Sequence, residues 1–93
     1  MADDRQNTLA RREILAAYID IINRLGELIE ICSAVEGDTE ELRKAVQASF
    51  GLSPVAADAV LSMQVRRFTP NERQKIRDEL ADIDIWLAET NVT

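Results

Sequence analysis

The 93-residue chain contains no histidine and a single cysteine, Cys32. Without histidine it lacks the usual general base at neutral pH and the commonest zinc ligand. One cysteine cannot form a disulfide within the chain or a thiolate metal site. Because Cys32 falls within an apolar helical pattern, we expect it to be a small core residue. These shortages argue against an enzyme and against a cofactor, metal or small-molecule site.

Glycine and aromatic residues are also scarce, and no long apolar run is present. The three glycines lie far apart, which excludes a glycine-rich phosphate loop. Aromatic residues make up only 4% of the chain, so we expect an aliphatic core. Charged residues such as Asp20, Arg24 and Glu27 interrupt the apolar stretches, so no membrane span is predicted. The polar, acidic N-terminus has no apolar signal segment, and we expect a cytoplasmic protein.

Acidic residues outnumber basic ones, giving a net charge of −6 and a pI near 4.5. This balance argues against a nucleic-acid binder that works through overall charge. One stretch departs from it, because residues 64–77 carry five positive side chains and one negative, a local charge of +4. Such a run can contact phosphate, or it can pair with carboxylates of this chain or of a partner. We favour pairing, and we expect direct DNA binding to be weak or absent.

The first half of the chain has the apolar pattern of one long helix, from Leu9 to about Ala34. At 1.5 Å per residue it would be about 39 Å long. Two adjacent apolar rows give it a broad face, which predicts contacts with two partners, one within the chain and one outside it. Gly26 lies inside this pattern, either as a tolerated glycine or at a close approach of another backbone. Residues 1–8 before it are expected to be a flexible leader.

Three further helix starts are marked by residues that cap or begin helices. They are Asp38 with Glu41, Ser53 with Pro54, and Thr69 with Pro70 and Glu72. Gly51 is expected to end the second helix, and the third should run to about Gln64. No segment alternates as a strand does. We predict an all-α fold in one domain, residues 9–90, followed by a tail at 91–93. The first and last helices should pack antiparallel, with two short helices over one end.

The segment from Ala56 to Thr69 reads AADAVLSMQVRRFT. It resembles a segment of the bacterial type IIA topoisomerases, in the A subunit of gyrase and its topoisomerase IV counterpart, that reads approximately QAQAILDMRLQRLTGLE. The resemblance continues through residues 71–77, which are similar to the LEREKI run of that family. Upstream, residues 50–53 resemble FGLSE and residues 21–31 resemble NIDEVIALI. Nearly the whole chain, about residues 11–89, is therefore covered.

In that family the corresponding region is the tip of the coiled-coil arms, where two A subunits meet at the exit gate, or C-gate. The resemblance implies that the first and last helices form a coiled-coil stub and that the middle helices form a globular head. It also implies a twofold homodimer contact through the head. The residues that it assigns to the dimer interface are Val60, Met63, Gln64, Val65, Arg66, Arg67 and Phe68, with the two arginines at the polar rim.

The chain also departs from the family pattern. The domain that carries the family's DNA-cleaving tyrosine has no counterpart here, and Tyr18 in the long helix does not correspond to that tyrosine. Changes near the contact surface could make the head selective for its own copies. They occur at Ser62, Gln64, Val65, Phe68 and Pro70. The resemblance thus implies a short, stand-alone, non-enzymatic homodimerisation module of the bacterial cytoplasm. In a second version it forms mixed gate contacts with the A subunit of gyrase or topoisomerase IV and modulates them.

One enzyme remains as the alternative, a small all-helical protein of chorismate-mutase type. Its first helix carries an RRxI pattern, superficially like Arg11 to Ile14, in a chain of similar length. Such an enzyme needs several cationic side chains that converge on a dicarboxylate. The long helix here offers only Arg11, Arg12 and Arg24 for that role.

Overall fold

A computed structural model describes residues 2–90, with side chains for residues 4–64 and 66–90. This part of the chain contains α-helices, one short 3₁₀ helix and no strand, which confirms the predicted all-α fold. The α-helices are α1 (Ala2–Asn23), α2 (Leu25–Ala34), α3 (Thr39–Phe50), α4 (Pro54–Leu61) and α5 (Pro70–Thr90). The 3₁₀ helix, Val65–Phe68, lies between α4 and α5. Met1 and the predicted tail, residues 91–93, lie outside the described residues.

The starts of α3, α4 and α5 follow from local capping chemistry and confirm the prediction. In each case a side-chain oxygen of the capping residue accepts a hydrogen bond from the backbone N–H three residues on. The pairs are Asp38 with Glu41 at 3.1 Å, Ser53 with Ala56 at 3.2 Å and Thr69 with Glu72 at 3.3 Å. Pro54 and Pro70 occupy the first helical position, where a missing N–H costs nothing.

Gly51 ends α3 in the left-handed backbone conformation, with φ of 65°. A residue without a Cβ adopts this conformation without a steric penalty. The Gly51 N–H donates to the carbonyl of Gln47, and the chain turns back towards α4. The predicted helix end at Gly51 is confirmed.

The first predicted helix differs from the structure at its start and in its middle. α1 begins at Ala2, so the start at Leu9 is wrong, and residues 2–8 form about two helical turns. The helix is also interrupted at Arg24, where φ is −124° and ψ is 36°, so residues 9–34 belong to two helices. Neither proline nor glycine occupies this position, and Gly26, two residues later, weakens a helix without marking where it breaks. That residues 1–8 are flexible stays a prediction.

The third predicted helix is shorter than expected. α4 ends at Leu61 rather than near Gln64, and a separate 3₁₀ helix begins at Val65. Residues 62–69, called the elbow below, therefore connect α4 to α5 through a turn and one 3₁₀ segment.

α1 and α5 pack antiparallel, as predicted, and together form what we call the stalk. Arg5 contacts Thr90 while Arg11 contacts Glu79, so residue numbers rise along one helix as they fall along the other. Leu15 and Ile22 of α1 and Ile76 of α5 are buried between the two helices, at 0%, 5% and 2% exposure. Leu80, Ile83 and Met63 pack around this stalk core.

Helices α2, α3 and α4 form the head, which packs on the other side of α1. Ala56 and Ala57 are fully buried, and their small side chains let α4 lie close to α1. Tyr18 and Phe68 pack against both the head core and the stalk core and so join them. The buried members of the head core are Ala17, Ile21, Val46, Phe50, Ala56, Ala57 and Val60.

The described part of the chain is elongated, measuring 50 × 28 × 17 Å. Its radius of gyration is 14.7 Å, against about 12 Å for a compact domain of this length. Two small cores set side by side leave much apolar surface on the outside. None of the helices in residues 2–90 combines the length and apolar character needed to cross a membrane.

Two residues of α2, Cys32 and Gly26, are not covered by other elements of the described chain. Cys32 is exposed, so its assignment as a small core residue is wrong. The periodicity of the helix places it near an apolar row, but no other element covers that row. A Cβ added to Gly26 would meet nothing within 4 Å, so no backbone of the described residues approaches it closely.

Leu15→Ala should reduce the free energy of unfolding by about 2–5 kcal/mol, because it opens a cavity in the stalk core. Leu9→Ala on the same helix is the matched control, since Leu9 is 43% exposed and its truncation should change stability by no more than about 0.5 kcal/mol. Urea unfolding followed by circular dichroism measures both variants. Equal losses for the two would contradict the described packing of α1.

Candidate contact surface

The elbow and the end of α4 bring together the residues that the resemblance assigns to a dimer interface, but most of their apolar side chains face inwards. Val60 is 3% exposed and belongs to the head core. Met63 and Phe68 are half-buried and pack against the stalk core. The Val65 side chain lies outside the described residues. The apolar part of this segment therefore holds its own chain together, and its role in a dimer interface stays a prediction.

Of the three polar residues that the resemblance assigns to the interface, one is fixed and two face solvent. The Arg67 guanidinium lies over the Tyr18 ring, 5.6 Å from its centroid, and its Nη1 is 3.4 Å from a Glu72 oxygen. Gln64 and Arg66 are exposed, and Arg66 has no ion pair among the described residues. Arg67 thus anchors the elbow to α1 and α5, while Gln64 and Arg66 are free to meet a partner.

The five positive side chains of residues 64–77 pair only in part with carboxylates of their own chain. Arg67 and Lys75 both reach Glu72, at 3.4 and 3.8 Å. Within residues 4–64 and 66–90, Arg66, Arg73 and Arg77 form no ion pair at 4 Å or less. The predicted in-chain pairing therefore accounts for two of the five cations. Arg66 and Arg77 are exposed and remain available to an acidic partner, whereas Arg73 is half-buried and its Nε is buried without a hydrogen-bond partner in the described part of the chain.

Two carboxylates of α5, Glu79 and Asp84, pair instead with α1. Arg11 Nε lies 2.7 Å from Glu79, and Arg12 Nε lies 2.5 Å from Asp84. The hydrogen bond from Arg11 lowers the pKa of Glu79 below its usual value, with a smaller contribution from the positive charge of Arg11 and then of Arg67. Both pairs are exposed and join α1 to α5 in the antiparallel register that the buried stalk core sets.

The three arginines that a chorismate-mutase-type site would require are occupied by carboxylates of this chain. Arg11 and Arg12 bind α5, as described above, and Arg24 binds Asp20 at 3.2 Å and Glu27 at 2.7 Å. They do not converge on a shared cavity, so the structure gives this alternative no support.

Helix α2, to which the resemblance assigns no interface residue, carries uncovered apolar surface on the head. None of its ten residues is buried. Leu28 and Ile31 are half-buried against the head core, whereas Ile29 is 58% exposed. The two apolar rows of residues 9–34 could have revealed this surface, because in α2 one row faces the head and the other faces outwards.

The outward side of α2 forms a continuous uncharged surface, which we call the α2 outer face. At 100° per residue its members occupy an arc of about 120°. They are Leu25, Gly26, Ile29, Cys32 and Ser33. The Ser33 hydroxyl donates to the Ile29 carbonyl at 2.9 Å, so its hydrogen-bonding need is met within the helix. Burial of this face would therefore leave no charge and no hydroxyl without a partner.

Glu79→Gln should abolish one pH-dependent contribution to stability. Because the pKa of Glu79 is lowered in the folded state, the pair stabilises the protein above about pH 4.5, and this contribution disappears as the pH falls below that value. Both side chains are about half exposed, so the expected effect is no more than about 1 kcal/mol. Urea unfolding should show Glu79→Gln less stable than the original chain at about pH 7, with a smaller difference at about pH 3. A difference of the same size at both pH values would contradict this assignment.

No protein-family model matches the chain. Among individual proteins, it is 35% identical over 86 residues to the DNA gyrase A subunit of Leptospira biflexa, covering 92% of this chain and 10% of that protein. It is 33% identical over 86 residues to the DNA gyrase A subunit of Streptococcus pneumoniae, with the same coverage. Over 78 residues it is 35% identical to that of Campylobacter jejuni, covering 84% of this chain and 9% of the relative.

These matches confirm the resemblance drawn from the elbow and its flanking helices. They span most of this chain but only about a tenth of each relative. The chain is therefore related in sequence to one segment of the DNA gyrase A subunit.

Proposed function

We propose that this chain is a non-enzymatic homodimerisation module in which two copies meet through their heads, in the manner of an exit gate. The observation that carries the proposal is α2, an apolar helix without a single buried residue. Apolar surface of this kind is stabilised when another surface removes it from water. The relation to a segment of the gyrase A subunit supports the same function.

The size of a stable interface requires contacts beyond α2. A ten-residue helix is about 15 Å long and about 10 Å wide, so its outer face offers roughly 150 Å². Specific dimers bury about 1,000 Å² or more in total, or about 500 Å² per copy. Other parts of the head must therefore contribute. The elbow is our candidate, through its exposed Gln64 and Arg66, with Val60, Met63, Val65, Arg67 and Phe68 as the further residues that the resemblance assigns.

A twofold axis makes each contact residue count twice, because both copies contribute the same surface. The α2 outer face is uncharged, so it can be buried in such a contact without desolvating an ion. Arg66 at its solvent-facing position suits the polar rim of an interface, where charges improve selectivity more than affinity. Departures from the family pattern at Gln64 and Phe68 would then favour self-association.

Mixed association is a second version of the same function. Here the head pairs with the A subunit of gyrase or topoisomerase IV and modulates its gate. Co-purification with the A subunit of gyrase, together with a changed rate of supercoiling, would support this version, whereas no binding at concentrations on the order of tens of micromolar would exclude it. We propose a cytoplasmic location for either version, since a reducing compartment keeps the exposed Cys32 as a thiol.

Ile29→Asp should convert the dimer to a monomer. Light scattering on the original chain should give twice 10.4 kDa. An unpaired carboxylate at an apolar contact costs several kcal/mol, and since about 1.4 kcal/mol is a factor of ten, the dissociation constant should rise at least about 100-fold. Ile85→Asp is a closely matched control, because Ile85 on α5 is the same residue type with the same 58% exposure, and it should leave the mass unchanged.

Each alternative result has a definite meaning. A monomeric original chain at millimolar concentration would exclude homodimerisation. A dimer that survives Ile29→Asp but is lost on Arg66→Glu would move the contact from α2 to the elbow. Met63→Asp and Phe68→Asp do not suit this test, because both side chains pack in the stalk core and their replacement would unfold the monomer.

A further inference from the structure

The junction of α1 and α2 bends without any residue that forces a bend. Arg24 separates the two helices, and its side chain does not cap α2. The Arg24 N–H still donates to two α1 carbonyls, and the Arg24 carbonyl accepts two bonds from α2. The N–H groups of Leu25 and Gly26, in contrast, do not donate to the carbonyls of Ile21 and Ile22, as they would in one continuous helix. The bend therefore leaves two backbone bonds unmade.

The side chain of Arg24 contacts three helices at this junction. It binds Asp20 of α1 at 3.2 Å and Glu27 of α2 at 2.7 Å. Its guanidinium also lies over the Phe50 ring at the end of α3, 4.4 Å from the ring centroid. Residues three and four apart are neighbours in a straight helix as well, so both ion pairs would survive straightening. The contact with Phe50 is the one that depends on the bend.

A continuous helix and a bent junction are each stabilised by contacts that the other lacks. A continuous helix would gain the hydrogen bonds of Leu25 and Gly26, but it would lift Leu28 and Ile31 away from the head core. The bent arrangement keeps those apolar contacts and adds the stacking of Arg24 on an aromatic ring. A helix break that depends on tertiary contacts, with no proline or glycine at the break, can be reversed when those contacts are lost.

We propose that the α1–α2 junction is a hinge and that Arg24, stacked on Phe50, latches it in the bent state. When the latch is released, α2 continues α1 as one helix, and the α2 outer face no longer lies beside the rest of the head. The hinge thereby controls whether the face is presented for association. This consequence for association rests on the proposed function, whereas the hinge itself does not.

Amide hydrogen exchange measured by NMR on the 93-residue chain tests the hinge directly. In the original chain the amides of Leu25 and Gly26 should exchange rapidly, because they have no helical acceptor. Arg24→Ala should slow the exchange of both by roughly tenfold or more, as their bonds form in a continuous helix. Asp20→Asn removes an ion pair but keeps the Phe50 contact, so it should leave both amides fast.

A second variant, Arg24→Lys, distinguishes release of the hinge from a general loss of structure. Arg24→Lys keeps a positive charge but not the planar guanidinium, so it should shift the same two amides in the same direction by a smaller factor. Fast exchange at Leu25 and Gly26 in both Arg24 variants would overturn the hinge. A fall in protection throughout α2 and α3 in both would also overturn it, because it would show that Arg24 merely stabilises the head.

Light scattering on the same samples separates the hinge from the dimer. Slowed exchange together with a weakened dimer in Arg24→Ala supports both the hinge and its control of association. Slowed exchange with an unchanged dimer retains the hinge and rejects that control. If the original chain is monomeric, the proposed function fails, while the exchange result still decides whether the hinge exists.

Discussion

The structure depends on α1, because both cores are built on opposite sides of this one helix. Leu15 and Ile22 face α5, and Ala17 and Ile21 face α4. Close packing along two sides of a helix excludes water from the aliphatic side chains of a chain with few aromatic residues. The stalk and the head could not keep their relative positions without it. Tyr18 and Phe68, which contact both cores, show that the two share a boundary.

Because the apolar residues are divided between two small cores, no residue of α2 is buried. The helix lies beyond the break at Arg24, where the stalk no longer covers it, and only its inner row reaches the head core. A chain of this size buries a modest fraction of its surface, so such an uncovered face is a natural place for association. The proposed hinge and the proposed dimer contact thus have one physical origin, the end of α1 at the top of the stalk.

For the elbow, the residues indicated the family relation but not which surface buries their apolar side chains. Its sequence carries the relation to the gyrase A subunit, which the comparisons confirm. Its apolar side chains, however, pack on the molecule's own cores, and the sequence pattern alone could not distinguish burial by the same chain from burial by a partner. Cys32 illustrates the converse error. It lies in an apolar pattern, yet no neighbouring element covers it.

The sequence by itself determined the ends of helices, since a cap at Asp38, Ser53 or Thr69 and a left-handed Gly51 act within a few residues of the chain. It also determined the all-α class and the antiparallel stalk, through helical periodicity and the position of the turns. Only the tertiary structure decided where the first helix breaks and which apolar row remains exposed. The reason is that periodicity defines a face of a helix, whereas the element that covers this face is brought there by the rest of the fold.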